Sequence, residues 1–128
     1  MTEFAAIEWQ RADRALSTAS QLVETDPDSA ASRAYYAAFH ALTALFALRG
    51  QTYTKHSALR AAVHRELVQT GQLSPETGRA YDFLIDLRET GDYGGLSRVT
   101  PTSAKMAVQK AEAFLAAISR ISPDLGSE

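Results

Sequence analysis

The sequence predicts an all-α domain, and three observations support this fold class. Apolar residues recur at spacings of three and four almost throughout, and no segment shows the strict alternation of a half-buried strand. Proline follows a helix-capping residue at three places, as is typical of helix starts. The length of 128 residues suits one domain with a single core. We therefore expect an up-and-down four-helix bundle with a fifth, C-terminal helix, because short connections favour antiparallel neighbours.

Each helix has local start and stop signals. The second, fourth and fifth helices open on a cap followed by proline, and the second and third end at glycines suited to a left-handed terminator. The cap–proline pairs are Asp26–Pro27, Ser74–Pro75 and Thr100–Pro101, and the terminating glycines are Gly50 and Gly71. The predicted helices cover about residues 2–24, 27–49, 56–70, 75–90 and 101–121, within a single domain over 1–128. We expect the core to span about residues 4–118 and residues 122–128 to form a frayed tail.

The composition excludes several classes of function. The sequence has no cysteine, so a thiolate metal site is excluded, and His56 and His64 lack a carboxylate in metal-binding spacing between them. We expect no metal and no cofactor. No apolar run approaches the length of a membrane span, and the early acidic residues are not typical of a signal sequence. We therefore expect a cytoplasmic protein that makes no membrane contact.

Charge is distributed unevenly along the chain. The formal net charge of -2 argues against a broad electrostatic grip on nucleic acid. Residues 1–32 hold two arginines against six acidic residues, whereas residues 33–98 hold eight lysines and arginines against six, together with all three histidines. We expect an anionic ligand to prefer the middle of the chain, although small helical proteins also scatter charge this unevenly by chance.

The second helix has two different faces. Successive rotation by about 100° per residue places an aromatic and aliphatic stripe on one side, which we assign to the core. The opposite face is polar and aromatic at its start and small towards its end, so it suits close approach by a second copy of the chain. Alanine chosen for helix propensity alone would give the same pattern. The core stripe is Tyr35, Phe39, Leu42 and Phe46, and the opposite face is Arg33, Tyr36, Ala37, His40, Ala44 and Ala47.

Two polar positions on that second face suggest phosphate chemistry. Arg33 and His40 are seven residues apart and therefore lie nearly in line along the helix. Together they could hold a phosphate, with the arginine as fixed charge and the histidine as a proton carrier near neutral pH. A histidine with a structural partner is the alternative interpretation.

Arg88 is the most unusual residue of the fourth helix. It continues the apolar stripe of Tyr81, Leu84 and Ile85, where a guanidinium is costly unless an acceptor or a functional need is present. Asp92 follows four residues later, which is the spacing of a helical ion pair. Structural pairing and chemistry therefore both remain open for Arg88.

Four segments follow one another in an order that resembles a known family. They read "SRAYYAAFHALTALFALRG", "TKHSALRAAVHREL" and "TGQLSPETGRAYDFLIDLRETGDYGG", followed by a final amphipathic helix. The succession resembles a HEPN domain (higher eukaryote and prokaryote nucleotide-binding) of the stand-alone prokaryotic branch, over about residues 4–118. That branch has a Tyr-Tyr-x-x-Phe-His helix and an Arg-x-x-x-Asp-Tyr-Gly ending. The resemblance implies an all-α homodimer, RNA or nucleotide as ligand, and a minimal nucleotidyltransferase as partner in a toxin–antitoxin pair.

The resemblance also implies roles for particular residues. Active members cleave RNA without metal through an arginine at the end of the fourth helix and a histidine four to six residues later. Arg88 takes the place of that arginine, and Tyr93 that of a tyrosine to which the partner enzyme attaches AMP. Asp92 stands where the histidine is expected, and an aspartate is a weak base and a poor acid near pH 7.

Three functions follow from these observations. The first is a dimeric protein that binds RNA or nucleotide at a dimer cleft through Arg88, Arg33, Tyr36, His40 and His56. The second is a metal-independent endoribonuclease with Arg88, Asp92 and His40 at the catalytic site, in which His40 or His56 replaces the missing base. The third is a non-catalytic helical-bundle interaction module, in which all these residues are structural.

Overall fold

A computed structural model describes residues 2–95 and 98–126 of the chain, and these residues form helices joined by short connections. Four helices are long and one is short, and the short one continues into a π-helical segment. They are α1 (Glu3–Leu22), α2 (Pro27–Leu48), α3 (His56–Ala62), the π-helical segment Val63–Val68, α4 (Pro75–Tyr93) and α5 (Pro101–Ile121). The all-α prediction is confirmed. None of the helices in this part of the chain combines the length and apolar character needed to cross a bilayer.

The predicted cap residues and the two predicted terminating glycines are found at the expected positions. The side chains of Asp26, Ser74 and Thr100 each accept a hydrogen bond from the backbone N–H three residues ahead, at 3.2, 3.0 and 3.0 Å. Each cap satisfies an amide that the first helical turn leaves without a backbone partner. Gly50 and Gly71 have φ values of 72° and 81°, the left-handed conformation that glycine adopts without a Cβ clash.

The core lies around α2, which packs against α1, α4 and α5. Tyr35, Leu42 and Phe46 of the predicted core stripe are at most 1% exposed. Ala37 and Ala44, on the face that we considered for self-association, are 0% exposed within a single subunit. That interpretation is wrong for this part of the face, because α1 brings its own buried alanines against α2. Those alanines are Ala5, Ala12, Ala15 and Ala19.

Two other expectations need correction. The helix α4 continues to Tyr93, three residues past the predicted end, and Gly91 lies within the helix. A Cβ on Gly91 would lie 3.0 Å from the carbonyl oxygen of Asp28, so glycine lets α4 approach the start of α2. The predicted tail is also held in part, since Leu125 is only 1% exposed and belongs to the core. Residues 127–128 of the tail lie outside the described residues.

Candidate functional site

The guanidinium of Arg88 is held by three neighbours of its own subunit. Its side chain is 19% exposed, and Nη2 donates a hydrogen bond of 3.1 Å to the hydroxyl of Tyr36. Its central carbon, Cζ, lies 5.2 Å from the ring centroids of both Tyr35 and Tyr36. Nε is 3.3 Å from Oδ2 of Asp92, an ion pair without the alignment of a hydrogen bond. Stacking, hydrogen bonding and charge pairing therefore compensate for much of the cost of placing this cation on an apolar stripe.

His56 of α3 also contacts Tyr35. Its Nδ1 is 2.6 Å from the Tyr35 hydroxyl, and its ring stacks on Phe39 with centroids 4.7 Å apart. Burial, and then the charge of Arg88, lowers the pKa of His56 from its ordinary value, so the neutral imidazole is favoured near pH 7. Burial raises the pKa of Tyr35, so its hydroxyl stays protonated. We call Tyr35, Tyr36, His56, Arg88 and Asp92 the Arg88 cluster.

Arg33 and His40 lie next to this cluster. The Cζ of Arg33 is 4.9 Å from the ring centroid of Tyr36, so the guanidinium groups of Arg33 and Arg88 are both close to one ring. His40 faces α1, where its Nδ1 is 3.2 Å from Oε1 of Glu8. Both residues line a pocket of about 320 Å³ between α1 and α2, which we call the α1–α2 pocket. It is lined by Arg11, Arg14, Ala15, Thr18, Arg33 and His40.

The structure thus divides the predicted site residues into three groups. Arg88, Asp92, Tyr36 and His56 come together in the Arg88 cluster, although they belong to α2, α3 and α4. Arg33 and His40 lie in the adjacent α1–α2 pocket. Tyr93 is the last residue of α4 and is 74% exposed, so its side chain extends into solvent.

Sequence reasoning missed two residues that organise these sites. Tyr35 was assigned to the core, and it is buried, but its hydroxyl also contacts His56. A tyrosine in a core stripe is itself a signal, since a buried phenol normally finds a polar partner. Glu8 is 5% exposed and contacts both Arg11 and His40. Its position in the sequence could have indicated this burial, because Glu8 lies next to Trp9 on the helical stripe that also carries the buried Ala5 and Ala12 of α1.

Fold and site together define a small helical-bundle domain with an arginine, an imidazole and tyrosines gathered where α2, α3 and α4 meet. A family model described as the HEPN domain matches residues 6–121. The chain therefore belongs to the HEPN domain family, as the order of its motifs suggested.

Two relatives and one solved structure extend this assignment. A UPF0332 protein of Thermotoga maritima is 38% identical over 117 residues, which cover 91% of this chain and 89% of that protein. A protein of Methanocaldococcus jannaschii, named as a candidate toxin, is 25% identical over 107 residues, which cover 83% of this chain and 73% of that protein. The crystal structure of TT1696 from Thermus thermophilus has a TM-score of 0.78 at 21% identity, covering 94% of this chain and 99% of that one. This last likeness concerns the fold alone.

Proposed function

We propose that this protein is a toxin-type HEPN protein that binds RNA or nucleotide at the Arg88 cluster and at the neighbouring Arg33 and His40. One observation carries the proposal: the guanidinium of Arg88 and the imidazole of His56 both contact one buried tyrosine, Tyr35, at distances of 5.2 Å to its ring centroid and 2.6 Å to its hydroxyl. A guanidinium supplies charge and several donors for a phosphate, and an imidazole exchanges protons near pH 7. The family and the toxin-like relative support the same class of ligand and role.

The same groups could cleave RNA without a metal. The 2′-oxygen would attack the phosphorus while Nε2 of His56 takes the 2′-hydroxyl proton, and Nδ1–H of His56 donates to the Tyr35 oxygen. Arg88 stabilises the charge that builds on the phosphorane. His40, from this subunit or from a second copy, gives a proton to the leaving 5′-oxygen. The products are a 2′,3′-cyclic phosphate and a 5′-hydroxyl end, and Asp92 orients Arg88 in place of a catalytic histidine.

Incubation of the purified protein with total RNA in EDTA tests this reaction. We expect cleavage by the wild type and at least a hundredfold loss in Arg88→Ala and in His56→Ala, because general-base and electrostatic contributions are each of that order. Arg120→Ala is the matched control, since Arg120 lies beside the start of α4, at the end opposite Arg88. Equal cleavage by all four proteins would remove the Arg88 cluster from the mechanism.

We further propose that the protein acts as a homodimer with a minimal nucleotidyltransferase as partner. Tyr93 is the acceptor for AMP, and its 74% exposure supports access by another enzyme. Its hydroxyl would attack the α-phosphate of ATP and release pyrophosphate. Incubation with ATP and the nucleotidyltransferase encoded beside this protein should add the mass of an adenylyl group to the Tyr93 peptide, and Tyr93→Phe should block the addition. Light scattering tests the dimer, and a strictly monomeric mass would contradict it.

A non-catalytic interaction module is the second candidate. The pairing of Arg88 with Asp92 inside its own subunit favours it, because an ion pair of this kind needs no ligand to explain it. This function predicts that neither the wild type nor Arg88→Ala binds RNA, and that the substitution only lowers stability. Fluorescence anisotropy with labelled single-stranded RNA separates the two candidates.

A further inference from the structure

The α1–α2 pocket combines positive charge with a concave shape. Its walls come from two helical stripes, one on α1 with Arg11, Ala15 and Thr18, and one on α2 with Arg33 and His40. The residues of each stripe are three, four or seven positions apart, so they lie on one side of their helix. Ala15 is small and buried, which leaves room between the longer side chains. The volume of about 320 Å³ is in the range of small-ligand pockets, about 300 to 1,000 Å³.

One buried carboxylate orders this pocket without cancelling its charge. The side chain of Glu8 is 6% exposed, and its two oxygens lie 3.0 Å from Nη1 of Arg11 and 3.2 Å from Nδ1 of His40. The pocket lining includes three guanidinium groups, and Glu8 pairs with that of Arg11. Arg14 and Arg33 therefore supply positive charge beyond the group that Glu8 neutralises, and an anion is the complementary ligand.

The pocket is continuous with the Arg88 cluster through one aromatic ring. The guanidinium carbons of Arg33 and Arg88 lie 4.9 and 5.2 Å from the ring centroid of Tyr36. A cationic path therefore runs from the pocket past Tyr36 to the cluster. A strand that carries regularly spaced phosphates matches such a path better than an isolated anion does.

We propose that the α1–α2 pocket is a phosphate subsite, formed by Arg11, Arg14 and Arg33, that takes a second phosphate of the RNA strand held at the Arg88 cluster. The RNA part of this inference rests on the proposed function. The subsite itself rests on the pocket and on the Glu8 contacts. It assigns a binding role to α1, which lies within residues 1–32, where the chain has two arginines against six acidic residues.

The salt dependence of RNA binding is the first test. Fluorescence anisotropy with a short labelled oligouridylate should give roughly fivefold weaker binding for Arg14→Ala, and a slope of log K against log salt reduced by about 0.7, the value for one lost phosphate contact on a single strand. Arg11→Ala combined with Arg14→Ala should lower the slope further, but by less than twice as much, because Glu8 already neutralises part of the charge of Arg11. Arg120 is exposed and lies outside this pocket, beside the start of α4, so Arg120→Ala should keep the wild-type slope. An unchanged slope in the double variant, with RNA still bound, overturns the subsite and leaves the proposed function standing.

A titration with inorganic phosphate is the second test and needs no RNA. Nitrogen-15 spectra should show the Nε–H signals of Arg11, Arg14 and Arg33 shifting together, while that of Arg120 stays in place. If the wild type binds no RNA but these signals shift, the proposed RNA function fails and the anion site stands. Equal shifts at Arg120, or no shift at the three pocket arginines, overturn the site itself.

Discussion

The Arg88 cluster and the α1–α2 pocket hold arginines in opposite ways. Arg88 is 19% exposed and is enclosed by two tyrosine rings, a hydroxyl and a carboxylate, whereas the side chain of Arg11 is 57% exposed and pairs with Glu8 at one edge. An arginine packed mainly against its own subunit contributes to folding as well as to the binding of any ligand. An exposed arginine contributes little to folding, because solvent screens its pair. Substitutions in the two regions should therefore separate stability from binding.

Arg88→Ala should have the largest effect on stability. The change removes the stacking on Tyr35 and Tyr36, the hydrogen bond to the Tyr36 hydroxyl and the partner of Asp92. We expect the free energy of unfolding to fall by about 2 kcal/mol, as is usual for the loss of a charged hydrogen bond together with a cation–π contact. Urea denaturation monitored by circular dichroism measures this change.

Asp92→Asn is the matched control for that experiment. It removes the negative charge of the ion pair but leaves the rings and the hydroxyl around Arg88 in place. The free energy of unfolding should therefore fall by only about 0.5 kcal/mol. Equal losses in the two variants would show that the ion pair, rather than the aromatic enclosure, holds Arg88. The rings of Tyr35 and Tyr36 would then add little to the stability of the Arg88 cluster.

Glu8→Ala should have the next largest effect, because it removes the buried acid that contacts two residues of the α1–α2 pocket lining. Arg11 and His40 lose their shared acceptor, and we expect a loss of about 1 kcal/mol in the free energy of unfolding. The loss should shrink as salt rises, since the uncompensated arginines then repel one another less. Adding phosphate should raise the melting temperature of this variant if the pocket binds anions. A loss that does not depend on salt or phosphate would show Glu8 to be a packing residue only.

Much of the fold could be predicted because its signals are local. A cap followed by proline fixes where a helix starts, whatever the rest of the chain does, and Asp26, Ser74 and Thr100 are all found as caps. The end of α4 could not be predicted in this way. A glycine read in isolation predicts a stop, but Gly91 serves a contact with Asp28, which is distant in sequence. Only the packed structure distinguishes a terminating glycine from one that permits close approach.

The candidate site was predictable only in part, for a related reason. Arg88 and His56 could be proposed from their residue types and from the family motifs, but the buried Tyr35 that joins them depends on how α2, α3 and α4 meet. The charge count along the chain pointed away from residues 1–32. Folding nevertheless places Arg11 and Arg14 beside Arg33, because α1 lies against α2. Charge summed along a sequence cannot show which arginines share a pocket.

The stability of the Arg88 cluster should also depend on pH through His56. Because burial and Arg88 lower the pKa of His56 in the folded protein, the folded form binds fewer protons than the unfolded chain below the ordinary value of 6.5. This group's contribution to stability is therefore complete above that value and is lost as the pH falls. Melting temperatures of the wild type and His56→Gln, compared at about pH 7 and about pH 5, should differ less in acid. A difference that grows in acid would contradict the lowered pKa.

Arg14→Ala should have the smallest effect on stability and gives the sharpest contrast with Arg88→Ala. Arg14 is exposed on α1 and lines the pocket, and alanine is a strong helix former, so we expect the free energy of unfolding to change by less than about 0.5 kcal/mol. Urea denaturation should therefore overlay the wild type, while RNA binding still loses part of its salt dependence. Normal stability together with weakened RNA binding is the result expected for an exposed arginine that contacts the ligand. If Arg14→Ala were instead as unstable as Arg88→Ala, the arginines of both regions would be structural, and weakened RNA binding by the pocket variants would reflect unfolding rather than a lost phosphate contact.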